Sequence, residues 1–455
     1  MPEGVSMRTE DYRNKNILPL VLSMSLPMVL SMLVNALYNI VDSYYVAKIS
    51  EEAMSALSLI YPLQNVSSAV AIGFGVGANA VTAFFLGQRN QKEADGAASL
   101  SLVLSFVHTV ILMAVLLLLC HPFLRSFTDN TRILEYGDAY GRIVFGGLVF
   151  TQVSLIYEKL FQAVGMVKVS MFSMLLGCVT NIILDPIMIF GYGFFPVMGI
   201  EGAAIATVIG QMVTLLSYLL FWHYKDTGLK LSLTSASENK FLYKRLYQIG
   251  VPAILSQALP SLMITCLNAI LSVLSASGVL ILGIYYKLQT FIYLSANGVV
   301  QGIRPLIAYN YGADLFKRVK AVVKTALVLC MIVMAVGMLL CLVMPEQLIM
   351  LFTNNEITIT AGASALRIIC FGFVVSAVSL VVSGTMEALG SGSLSFLISL
   401  LRYVVIIVPC AWILSHFIGM NGVWVSFIVT EFISAGIALL LYRNKMKKIV
   451  QNKVF

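Results

Sequence analysis

Three stretches place oxygen-bearing side chains inside runs that are otherwise apolar. Asn35, Asn39 and Asp42 follow at i, i+4 and i+7, which puts them in a narrow arc of one helical face, with Tyr38 and Tyr45 beside it. Asn181 and Asp185, within TNIILDP, are i, i+4 neighbours, and Ala203 and Thr207, within GIEGAAIAT, repeat that spacing. An ionisable group in hydrocarbon costs ~2.5 to 3.5 kcal/mol or more, so an intramembrane carboxylate points to ions, protons or substrate. Two carboxylates near each other in a low dielectric must share a proton, bind a cation or meet a base. A sodium ion or a proton suits such a set. Asn39, Asn181 or Thr207 alone would read as glue between helices; the convergence of two acids favours the ion. Pro186 denies a hydrogen bond to the carbonyl of Ile182 and can kink its helix or free that oxygen.

The elements that must position these groups are membrane spans. The chain is 59% hydrophobic and 11% charged, with mean hydropathy +0.91, against the ~25% charged residues of a soluble domain. Apolar runs long enough to cross ~30 Å of hydrocarbon fall near 18–47, 54–86, 97–120, 139–166, 169–192 and 200–224, and again near 247–275, 279–310, 320–344, 362–389, 393–417 and 421–442. A polar connector at 225–246 separates the two sets. The expected fold is therefore an all-α membrane protein of twelve transmembrane helices in two six-helix lobes, 1–224 and 247–455. The amino end, the even-numbered connections and the carboxyl tail hold twenty of the twenty-nine lysines and arginines, which predicts both termini in the cytoplasm. The net charge of +8 is thus topology, and no nucleic-acid partner is expected. On this orientation Asp42, Asp185 and Thr207 lie about 7 to 11 Å from the outer boundary.

The halves repeat each other at an offset of 225. Pro27 falls on Pro252, Ser31 on Ser256, Gln64 on Gln289, Gly73, Gly77 and Gly87 on Gly298, Gly302 and Gly312, Arg142 on Arg367 and Gly165 on Gly390. Near the end the offset shortens to 220, where Gly199 and Gly202 meet Gly419 and Gly422. An even number of spans per half makes the repeat parallel, related by an axis along the membrane normal, an arrangement typical of secondary transporters. Asp42 falls on Leu267, so its carboxylate belongs to the amino half alone.

The carboxyl half carries Lys287, Arg304, Glu387, Arg402 and Glu431 in its spans, and Glu387, Arg402 and Glu431 read as a buried ion pair or triad. Glu158 and Lys159 invite the same reading. The seven cysteines form no C-x-x-C pair and the four histidines have no ligand spacing, so neither a zinc site nor a disulfide framework is expected. No G-x-x-x-x-G-K-[ST] is present and no H-E-x-x-H, which leaves a primary pump and an intramembrane enzyme unsupported. The expectation is a transporter driven by an ion gradient, with no cofactor beyond the coupling ion.

VDSYYVAKIS after the first span, NIILDPIMIFGYG in the fifth and GIEGAAIAT at the start of the sixth, on the duplicated plan, resemble the multidrug and toxic compound extrusion (MATE) family, DinF-type branch. The resemblance spans essentially the whole chain. It implies a central substrate cavity and exchange of amphipathic, often cationic, compounds for Na+ or H+. It carries a cation site onto Asp42, Asn181, Asp185, Ala203 through its backbone oxygen, and Thr207, with Asn35, Tyr38 and Asn39 in support. Another branch of the family places coupling acids in the carboxyl lobe; none stands on span seven here. The wider superfamily also holds lipid-linked oligosaccharide and polysaccharide flippases, the alternative reading, and a non-transporting receptor or channel is a third. A monomer in the inner (plasma) membrane, with small-molecule substrates and the lipid bilayer as partners, is expected.

Overall fold

The computed structural model describes residues 11–193, 195–232 and 240–451. Part of the polar connector, 233–239, lies outside the described residues. Among those described, eleven helices are long and apolar enough to cross a membrane, and a bent pair makes a twelfth. They run Ile17–Ala47, Glu51–Gly87, Gln91–Arg125, the pair Thr131–Gly146 and Leu148–Ala163, Val167–Phe190 and Gly199–Tyr224. The second set is Lys240–Leu274, Ala276–Gly312, Phe316–Val343, Glu356–Ala388, Gly392–Ile418 and Met420–Gln451. No strand occurs among the described residues. Every expected span is present, and the seventh begins seven residues earlier than its apolar run because the polar KFLYKRL turn is helical too.

The chain forms two compact units. One holds Met1–Asp11 and Leu30–Gly250, the other Tyr12–Val29 and Val251–Phe455. The first helix therefore gives its opening turns to the second unit and its remainder, with Asp42, to the first.

The duplication read from the sequence reappears atom by atom. Asn130 caps the fourth span by accepting from the backbone N–H of Arg132 and Ile133, and its own N–H donates to Thr128. In the other unit Asn355 accepts from Ile357 and Thr358, and donates to Thr353. Such caps satisfy N–H groups that have no partner inside the helix. Gly165 and Gly390 both close a span at positive φ, 83° and 72°, where a side chain would be strained.

The fourth span bends by 45° at Gly147. Its repeat partner Gly372 lies in the single 3-10 turn Cys370–Gly372 that interrupts the tenth. A mixed helix thus marks the same register in both halves. The eleventh span contains the π-helical stretch Leu401–Ile406, which the first half lacks among its described residues and which falls where the repeat offset shortens.

Candidate functional site: a buried oxygen cluster in the amino-terminal unit

Glycines bring the fifth and sixth spans together. A Cβ on Gly177 would meet the carbonyl of Gly210 at 2.6 Å, and one on Gly210 would meet that of Gly177 at 2.9 Å and the Cβ of Asn181 at 3.1 Å. Farther along, a Cβ on Gly202 would stand 2.6 Å from the carbonyl of Met188. Small residues of this kind let helix backbones approach closely in lipid, and here they set Asn181 and Asp185 against Thr207.

The Asn181 amide donates to Asp185 Oδ1 at 3.1 Å and to Thr207 Oγ1 at 3.4 Å. Asp42, Asn181, Asp185, Ala203 and Thr207 are all buried, Asp185 completely. Asp42 and Asp185 are close enough to act on each other electrostatically. Asp42 Oδ1, Asn181 Oδ1 and Asp185 Oδ2 are buried with no hydrogen-bond partner. A buried polar atom without a partner costs about 1 to 3 kcal/mol, and more if charged. Three in one cluster, with neither acid in an ion pair among the described residues, form a nest of acceptors that a proton or a hard monovalent cation would satisfy.

Of the supporting residues, Tyr38 reaches the cluster and interacts with Thr207 and Asp42. Asn39 does not: it is exposed, and its side chain donates back to the carbonyl of Asn35 at 2.7 Å. Asn35 is half-buried with its carbonyl so engaged. Two residues join that spacing alone did not single out for the site. Tyr140 on the fourth span is buried and interacts with Asp42, Asp185, Thr207 and Gln64, and Gln64 stands on the second. The signal that was available is the repeat: Gln64 recurs as Gln289, a polar residue kept in register in two apolar helices.

The expected carboxyl-half network divides in two. Arg402 binds Glu431 through the Nε–Nη2 edge of its guanidinium, Nε at 2.9 Å and Nη2 at 2.6 Å from Oε1. Glu387 instead meets Arg304 Nη2 at 2.7 Å and accepts from Ser395 at 2.9 Å. In the amino-terminal unit Lys159 pairs with Glu158 at 2.8 Å, and Gln162 donates to the same oxygen at 2.7 Å.

Comparison with known proteins agrees with this architecture. The MatE family model matches twice, over residues 27–187 and 252–413, and the two matches begin 225 residues apart, the spacing of the internal repeat. The chain is 25% identical over 431 residues to the multidrug export protein MepA of Staphylococcus saprophyticus, covering 94% of each. It is 25% identical over 443 residues to MepA of Staphylococcus haemolyticus, covering 97% of each. Its fold matches a crystal structure of MATE in the bent conformation with a TM-score of 0.92, at 24% identity and over 100% of both chains. A MOP superfamily transporter from Pyrococcus furiosus matches with a TM-score of 0.90 at 24% identity, over 99% of each. A duplicated bundle of twelve apolar spans, matched in both halves by one transporter family, leads to one assignment: the chain belongs to the MatE family of multi-pass membrane transporters.

Proposed function

We propose that this transporter is an ion-coupled antiporter that exports amphipathic, often cationic, compounds in exchange for Na+ or H+. Its relatives named for multidrug export support the cargo class. The observation that carries the coupling is the cluster of three unpartnered buried oxygens on Asp42, Asn181 and Asp185. Asp42, Asn181, Asp185, Thr207 and the backbone oxygen of Ala203 hold the coupling ion, and Tyr38 and Tyr140 line it. One cation or proton arriving at the two acids neutralises a negative charge there. The part of the first span that carries Asp42 then repacks, and this change releases the substrate. Lobes of 1–224 and 247–455, joined by 225–246, are the moving parts. Both termini lie in the cytoplasm, where the lysines and arginines concentrate, and the protein works as a monomer in the plasma membrane.

Dye efflux from proteoliposomes under separately imposed Na+ and pH gradients tests the reading. Asp42→Asn and Asp185→Asn are each expected to abolish gradient-driven efflux while leaving expression and helix content intact. Full efflux by either folded variant would overturn it.

A further inference from the structure

The carboxyl-terminal unit holds a buried polar track that the amino-terminal cluster does not use. On the tenth span Ser376, Ser379, Ser383 and Glu387 stand at i, i+3, i+7 and i+11, which aligns them along one helical face over about 16 Å. At one end the Tyr293 hydroxyl donates to Ser376 Oγ at 2.8 Å, and Arg402 Nη2 donates to Tyr293 at 3.2 Å while gripping Glu431. At the other end Ser383 and Ser395 share a hydrogen bond of 2.6 Å, and Ser395 donates to Glu387 beside Arg304. Between the ends, Ser379 Oγ is buried without a partner; on the twelfth span the hydroxyls of Thr430 and Ser434, which precede and follow Glu431, are likewise buried and unpartnered. A Cβ on Gly372 would meet Glu431 Cγ at 3.2 Å, so residue 372 is level with 431. The tenth and twelfth spans run in the same direction, which brings Ser434 level with Ser376. Buried hydroxyls that lack protein partners are places for internal water.

We propose that this track is a proton relay: a file of hydroxyls and bound water that joins the Arg402–Glu431 pair to the Glu387–Arg304 pair within the carboxyl-terminal unit. Glu387 takes a proton from water at its end of the span. It passes a proton to Ser395, and each hydroxyl or water along the file accepts one proton and releases another. The last transfer neutralises the Glu431 carboxylate, so the site gains one positive charge and no bond other than O–H is made or broken. Arg402 keeps its charge throughout. It has other partners when Glu431 is neutral, because the Tyr293 and Tyr403 hydroxyls accept from it at 3.2 Å and their rings lie 5.6 and 5.1 Å from its guanidinium carbon. The titratable groups facing the pair are Tyr285, Tyr286, Tyr293 and Tyr403, and Arg304 faces Glu387. The π-helix that carries Arg402 fits this role, since π-turns inside α-helices concentrate at functional sites.

Infrared difference spectra after a pH step on the reconstituted full chain provide the test, and they need no substrate, so the relay stands or falls apart from the antiport reading. A protonated-carboxyl band should appear and be absent in Glu431→Gln; Arg402→Lys, which alters the hydrogen bonds to that carboxyl, should shift it and gives a second assignment. The band should rise about tenfold more slowly in Ser379→Val and recover its rate in Ser379→Thr. A Glu431 that never protonates while the protein remains folded would overturn the relay, as would an unchanged rate in Ser379→Val. Either result would make the pair a static brace.

Discussion

The two units share a scaffold and treat their buried acids in opposite ways. In the first, Asp42 and Asp185 are buried with no basic partner and with unpaired oxygens. In the second, Glu431 and Glu387 each hold an arginine. Duplication has evidently left the framework intact, as the paired Asn130 and Asn355 caps record, and divided the polar work. The clearest exchange lies around the fourth and tenth spans. A Cβ on Gly75 would press on Lys159 Cγ at 2.9 Å, whereas at the repeat positions Gly384 faces Val300. The large and small partners have traded helices. Likewise Asn79 and Gln162 of the first unit become Arg304 and Glu387 in the second, converting two neutral groups into an ion pair. An open acceptor set leaves oxygens for an arriving ion; a closed pair holds its charge on a fixed partner until a proton replaces it.

Unfolding in detergent can break this contrast or sharpen it. Arg402→Met should have the largest effect, about 3 to 5 kcal/mol, because it strands Glu431, and Arg402→Met with Glu431→Leu should recover most of it. A double variant no more stable than the single would show that the pair is not the source. Gly210→Val should cost about 1 to 3 kcal/mol or more by prising the fifth and sixth spans apart, and it should weaken ion binding in the first unit without altering the Arg402 pair. Gly75→Val should cost a similar ~1 to 3 kcal/mol, with recovery on adding Lys159→Ala; no recovery would mean that Lys159 is not what occupies that space. Asn130→Ala and Asn355→Ala should each cost ~1 kcal/mol, and equal losses would confirm matched scaffolds. Arg367→Ala, which removes an exposed 3.6 Å contact to Glu346, should change stability by less than ~1 kcal/mol.

Much of this was legible in the sequence, and the residues explain where legibility stopped. Span positions follow from apolar length, which counts each residue without needing its neighbours, so all twelve appear. The acids at 42 and 185 stood out because a carboxylate in hydrocarbon is costly wherever it points. The bend at Gly147 did not stand out, since Gly146 and Gly147 lie in an unbroken apolar run. Helical phase placed Asn39 with Asp42, but an arc of one helix does not say which part of it meets a neighbour, and Asn39 stayed exposed. The partner of Glu387 was hidden for a related reason: pairing across spans depends on which helices touch. Reading Asn79 and Gln162 against Arg304 and Glu387 at the repeat offset would have exposed it, because both positions change from neutral to charged together.

The first helix also bears on how the molecule is made. Its opening segment, Tyr12–Val29, belongs to the unit whose remaining residues begin at Val251. At ~5 to 20 residues per second, a ribosome needs about ten to forty-five seconds to travel from one to the other. Throughout that interval an apolar segment waits in the bilayer without the companions it will keep. A chain interrupted in the connector would therefore leave its own beginning an orphan, without the residues it packs against in the complete fold.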